Sequence, residues 1–85
     1  MAYAEVTSDA WTEITTGINA YFEVKKTGDV VELWFGDAPP TGDPVDVWSI
    51  TSQSGFNYTN GRNCYARAKA ILAGKTNTAI VVWEE

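Results

Sequence analysis

The chain contains no histidine, and Cys64 is its only cysteine. These two scarcities remove much chemistry at once. No internal disulfide can form, no Ser-His or Cys-His catalytic pair can be built, and one thiol with carboxylates makes a poor zinc site. Basic residues are also few, six against eleven acids, for a net charge of −5. Counterion release cannot favour nucleic-acid binding by a surface of that sign. No apolar run approaches the length of a membrane-spanning helix. The first residues, Met1-Ala2-Tyr3-Ala4-Glu5, have neither the basic nor the apolar region of a signal peptide. Glycines are scattered singly at turn positions, so no phosphate-cradling loop is present. The expectation is a protein made in a cytoplasm, with no cofactor, no metal, no catalytic residues, no nucleic-acid partner and no membrane contact.

Eighty-five residues (1–85) make one domain. A chain this short buries only roughly 60–65% of its unfolded surface and is marginal alone. Disulfides, metals and oligomerisation are the usual remedies. With the first two set aside, self-association is the expected one.

What the chain does have is alternation. Asp29 to Gly36 places Val31, Leu33 and Phe35 on one parity and Val30, Glu32 and Trp34 on the other, the mark of a half-buried strand. Ala20 to Lys26 repeats the pattern, with Phe22 and Val24 inward. A two-residue Gly28-Asp29 turn would join the two runs as a hairpin, glycine taking the positive φ of a type II′ turn. That register pairs Val24 with Leu33, Phe22 with Phe35 and Lys25 with Glu32. Shifting the turn to Thr27-Gly28 would set Glu23 against Glu32, which like-charge repulsion disfavours.

Tyr3 to Thr7 reads as a first strand. Trp11 to Thr15 also alternates, but Trp11 and Ile14 have opposite parity, so its core side stays undecided. Asp37 to Pro44 holds three prolines and no alternation, which makes it a stiff surface connection. It leads to a strand from Val45 to Thr51, with Asp46, Trp48 and Ile50 on one face. Asn60-Gly61 is the strongest short-range signal for a type I′ turn, and predicts a hairpin with Phe56 opposite Tyr65. Tyr65 to Ala73 has helical propensity and a following Gly74 as a C-cap. Yet Cys64, Ala66, Ala68 and Ala70 alternate strictly with Tyr65, Arg67 and Lys69, which favours a strand through about Lys69. Thr78 to Glu84 is apolar on both faces and reads as a strand that is central or covered on both sides. Seven to eight short strands with regular turn signals define an all-β domain, a small antiparallel β-sandwich or barrel.

Three features compete as functional sites. Asp37, Asp43 and Asp46 could offer oxygens to calcium, but they lack the regular spacing and closing glutamate of such loops and read as solvated turn acids. Cys64, inside an alternating segment, reads as a small core residue. The aromatics exceed what so small a core needs, with four Trp and four Tyr. Trp34 and Trp48 are read as lying opposite the better apolar faces of their strands. They could stack on a sugar, anchor a subunit interface, or simply cover the second face of a sandwich.

The order of segments resembles that of small β-rich virion proteins of tailed bacteriophages. The residues that carry the resemblance are Asp9-Ala10-Trp11-Thr12-Glu13-Ile14, Phe35-Gly36-Asp37-Ala38-Pro39-Pro40, Tyr65-Ala66-Arg67-Ala68 and Ala79-Ile80-Val81-Val82-Trp83-Glu84. Each motif is short, and the Lys69 to Thr76 connection is longer than the pattern's usual turn. The resemblance implies a non-enzymatic virion component: a head decoration (cement), head-fibre or tail-associated protein. Its partners would be itself, as a homo-oligomer with a trimer as one candidate, and the major capsid protein or a tail component. Its location would be the virion, and the host cytoplasm during assembly. The interface expected from the residues is Trp34, Asp37, Pro39, Pro40, Asp46 and Trp48. The alternative is a carbohydrate-binding module using exposed Trp residues.

Overall fold

A computed structural model describes residues 2–16, 20–41, 47–52, 55–56, 61–70 and 74–84. Eight strands lie among them: β1 (Ala2–Thr7), β2 (Thr12–Thr15), β3 (Tyr21–Val24), β4 (Val30–Gly36), β5 (Trp48–Thr51), β6 (Gly55–Phe56), β7 (Asn63–Ala68) and β8 (Thr78–Glu84). They form two four-stranded antiparallel sheets, β1-β8-β3-β6 (sheet A) and β2-β7-β4-β5 (sheet B). The domain is an all-β sandwich, with principal extents of 34 × 27 × 18 Å. The short dimension suits two layers packed about 10 Å apart with side chains on their outer faces.

The core is the set of inward parities. Val6, Phe22, Val24, Ala79 and Val81 come from sheet A, and Val31, Leu33, Ile50, Cys64, Ala66 and Ala68 from sheet B, all buried. Small residues on β7 lie opposite larger ones on β4, Ala68 against Val31, Ala66 against Leu33 and Cys64 against Phe35. That complementarity lets the aliphatic and aromatic side chains of β4 and β3 fill the space between the sheets. Alanine-rich β7 is therefore a strand because its small residues form one face of a ladder, whatever its helical propensity. It ends at Ala68, close to the Lys69 limit expected. β8 sits between β1 and β3, the central one of the two placements its apolar faces allowed.

Both expected hairpins are corrected. β3 belongs to sheet A and β4 to sheet B, so Val24 does not pair with Leu33, nor Lys25 with Glu32. Gly28 does have positive φ, +93°, but in a tight turn closed by the Asp29 amide donating to the Lys26 carbonyl (3.2 Å). There it is the third residue of the turn, the position where a positive φ favours glycine. Phe22 and Phe35 do meet, with ring centroids 6.2 Å apart and planes at 56°. They face each other across the sandwich instead of along a ladder.

Likewise, β6 pairs with β3 and β7 with β4 and β2, so Phe56 is not opposite Tyr65. Gly61 keeps a positive φ of +70° in a connection that changes sheet; Asn60 lies outside the described residues. Among the described strands, β4 to β5 is the one pair successive in sequence that stays within one sheet. An arch between sheets and a hairpin within one leave the same alternation in the sequence, because both turn the same parity inward.

The ambiguity at Trp11 and Ile14 has a local cause. The β2–β7 register runs Thr12–Ala66, Glu13–Tyr65 and then Thr15–Cys64, so Ile14 is the extra residue of a β-bulge. A bulge reverses parity along its strand. Thr15 is thereby buried, while Ile14 packs against the edge of the core.

The reading of Trp48 is also corrected. It pairs with Leu33, as Ile50 pairs with Val31, so it starts on the core-facing side of β5. It remains 52% exposed. Its strand is at the edge of sheet B, near β6 at the edge of sheet A.

Candidate interaction surfaces

The outer face of sheet B is built from the other parity of β2, β7 and β4. Cross-strand register lines up Glu13, Tyr65 and Trp34 in one row, and Arg67, Glu32 and Ser49 in the next. Tyr65 donates its hydroxyl to Glu13 Oε2 at 2.9 Å. Burial, with the Glu13 carboxylate behind it, pushes the Tyr65 phenol above its usual range. Arg67 donates from Nη2 (3.1 Å) and Nε (3.3 Å) to Glu32 Oε1. Its guanidinium also lies 4.6 Å from the Trp11 ring centroid, in cation–π range. The Trp11 Nε1 is enclosed without a hydrogen-bond partner, so the ring face, not the N–H, is what binds this residue to its neighbours.

Trp34 occupies the end of the same face. Its indole folds over Gly36, where an added Cβ would stand 3.0 Å from Nε1, and Nε1 donates to the Ala38 carbonyl at 3.3 Å. Trp34 therefore straps the start of the proline-rich connection onto β4. Asp37 and Pro39 are exposed and Pro40 is half-buried. Asp46 and Asp43 lie outside the described residues. The expected interface is thus divided: Trp34 is on the outer face of sheet B, and Trp48 leaves β5 toward the core side. The two tryptophans do not flank one surface.

Sheet A presents a different outer face. Register places Tyr3 beside Val82 and Glu23, and Glu5 beside Ile80, with Tyr21 opposite Glu84. Tyr3 is 74% exposed and Tyr21 44%. Tyr21 lies over Gly55 of β6, where any Cβ would collide with its ring. An aromatic covering a glycine on an edge strand protects that pairing. Tyr21, Glu23, Val82, Trp83 and Glu84 line a small surface pocket of about 80 Å³.

One end of the sandwich is tied by polar contacts. The Asn77 amide donates to Ser8 Oγ (2.8 Å), Thr76 Oγ1 to Asp9 Oδ2 (2.8 Å), and Asn77 Nδ2 to the Lys69 carbonyl (2.8 Å). These join the β1–β2 and β7–β8 connections. Cys64 is fully buried, its thiol pushed up to about 12 by desolvation, so it has no accessible nucleophile at neutral pH. Among the described residues, no group of three or more acidic or cysteine side chains is placed to hold a metal ion.

The Arg67–Glu32–Trp11 and Tyr65–Glu13 contacts were not read from the sequence. Parity alone sends Tyr65, Arg67 and Glu32 outward, but their meeting depends on the order β2-β7-β4, which no local pattern encodes. Compared with protein-family models, curated proteins and solved structures, the chain matches none of them.

Proposed function

We propose that this domain is a non-catalytic structural component of a tailed-phage virion, an oligomeric decoration (cement) or fibre-associated protein. It adheres to the major capsid protein or a tail component, and resides in the host cytoplasm until assembly. The observation that carries this reading is the exposure of Tyr3, Tyr21 and Trp48 on so small a domain. Large aromatic side chains left at the surface favour burial against another protein, where Tyr and Trp are the commonest anchors. An acidic balance of eleven carboxylates to six bases keeps such a surface soluble before assembly. The order of the Trp11, Pro39-Pro40 and Tyr65-Ala66-Arg67-Ala68 motifs supports the virion setting by resemblance.

The test is a density-gradient fractionation of lysates from cells producing the phage that encodes the chain. The protein should co-migrate with heads, tails or whole particles, and Trp48→Ala should lower its particle occupancy while the isolated fold survives. Recovery solely in the free-protein fractions would sink the reading.

A second reading rests on the pocket beside Tyr21. The Tyr21 ring, with Glu23 and Glu84 near it, could stack on a sugar while the carboxylates accept hydrogen bonds from its hydroxyls. Glycan-array binding that disappears in Tyr21→Ala would favour this carbohydrate-binding alternative, and a blank array would dismiss it.

A further inference from the structure

We infer that two copies of this chain pair antiparallel through the free edge of β1, joining their A sheets into one eight-stranded sheet about a two-fold axis at Ala4. The inference deepens the assembly reading by naming one self-contact.

Among the described residues, four strands stand at sheet edges. β5 has four residues, β2 has four with a bulge at Ile14, and β6 is described at Gly55–Phe56 alone. β1 has six residues in unbroken register with β8, and contains no proline, lysine or bulge. An edge of that kind is a template for another strand.

The hydrogen-bonding groups on the free side can be assigned. In an antiparallel ladder, directly opposed residues alternate between bonded and non-bonded pairs. The Ser8 amide donates to the Asn77 carbonyl at 2.9 Å, which continues the Thr7–Thr78 register as a bonded pair. Stepping by two, Val6, Ala4 and Ala2 turn their N–H and C=O toward β8. Tyr3 and Glu5 therefore turn theirs outward.

Two copies can use those groups in few registers. Centring on Glu5 sets two carboxylates opposite each other, which is disfavoured. Centring on Tyr3 shortens the overlap. Centring on Ala4 makes Tyr3 of each copy a bonded partner of the second copy's Glu5, with Ala4 facing Ala4 at a non-bonded position. The 74% exposed Tyr3 ring then covers the neighbouring strand, and its hydroxyl end lies along the side that carries the second copy's Glu5. Ala2 and Val6 oppose each other on the inner side. The contact is isologous and closes as a dimer.

The experiment is sedimentation equilibrium on the full chain at micromolar concentration, with two variants. Wild type should run at twice the chain mass. Glu5→Pro removes an N–H that faces the free edge and leaves the bonds to β8, the placement in which strands tolerate proline. It should give the monomer mass with an unchanged far-UV circular dichroism spectrum. Ala4→Cys should form an intermolecular disulfide on mild oxidation, since opposed residues of a non-bonded pair sit close enough for one. Buried Cys64 leaves wild type as the control. A folded Glu5→Pro that stays dimeric, or an Ala4→Cys that does not cross-link, overturns the β1 contact, while particle co-migration would still uphold the virion reading. A monomeric wild type overturns it too.

Discussion

The pairing of β4 with β7 can be tested through Glu32 and Arg67. These two side chains are only 16% and 15% exposed, so their 3.1 Å ion pair is poorly screened by solvent. Hydrogen bonds to charged groups contribute about 1.5–3 kcal/mol each in such settings, against about 0.2–1 kcal/mol for an exposed pair. Arg67 also packs on Trp11, a cation–π contact of about 0.5–2 kcal/mol. Arg67→Ala removes both contacts and strands the Glu32 carboxylate, for an expected loss of about 2–4 kcal/mol. Glu32→Ala leaves the Trp11 contact in place and should cost less. The informative quantity is the coupling from the double-mutant cycle, expected at about 1–2 kcal/mol in favour of the pair. Urea unfolding followed by tryptophan fluorescence measures all four proteins, and for a domain this size Arg67→Ala should lower Tm by roughly 10–25 °C. A coupling energy below about 0.3 kcal/mol would mean that the two residues share no contact. The register Glu32–Arg67, and the strand order built on it, would then be wrong.

Three further outcomes follow from the same geometry. Gly55→Ala forces Tyr21 off β6 and should cost about 1 kcal/mol in thermal melts; in a Tyr21→Ala background the same change should be neutral or stabilising, and an equal cost in both backgrounds would refute the contact. Cys64 has its folded-state pKa raised from 9.0 to about 12, so its contribution is intact below pH 9 and is lost as pH rises from 9 toward 12. That predicts a fall of up to about 4 kcal/mol across the window, with Cys64→Ala costing about 1–2 kcal/mol at pH 7 and flattening the alkaline limb of a stability–pH series. Trp34→Phe releases the Ala38 carbonyl, and limited proteolysis should then cut faster near Asp37 to Thr41 with only about 0.5–1.5 kcal/mol lost from global stability.

The class of the fold was legible because alternation reports burial directly. β4, β7 and β8 were readable near their observed limits, since a strand with one buried face must repeat every second residue. Strand partners were not legible. Gly28 and Gly61 announce reversals of the chain with positive φ, but a reversal can return a strand to the same sheet or to the facing one. Phe22 and Phe35 illustrate the point: their inward parity is visible, and so is their proximity, while the geometry of their meeting is not. Trp48 is exposed as its position suggested, but on the inward parity of an edge strand and not on the outer face. The Ile14 bulge left a trace, two apolar residues of conflicting parity in one strand, and that conflict was the signal. The surface cluster of Arg67, Glu32, Tyr65, Glu13 and Trp11 left none, because its members come from β7, β4, β2 and the residue before β2, brought together by topology.

That cluster bears on where a partner can bind. The outer face of sheet B is satisfied internally: Tyr65 by Glu13, Glu32 by Arg67, Arg67 by Trp11, and the Trp34 indole by the Ala38 carbonyl. A partner docking there must either leave these contacts intact and gain little, or displace them and replace each with something as good. The outer face of sheet A has no such internal pairing among its described side chains. Tyr3, Ile80, Val82 and Tyr21 lie among Glu5, Glu23 and Glu84, with Lys25 the one base in the neighbouring row. Aromatic and aliphatic groups there gain by being covered, and the surplus carboxylates favour a partner that brings positive charge. Self-association through a face-to-face contact of this surface would bring like charges together, whereas the β1 edge sets each carboxylate against a tyrosine. The proposed β1 self-contact would therefore leave the acidic aromatic face of sheet A uncovered.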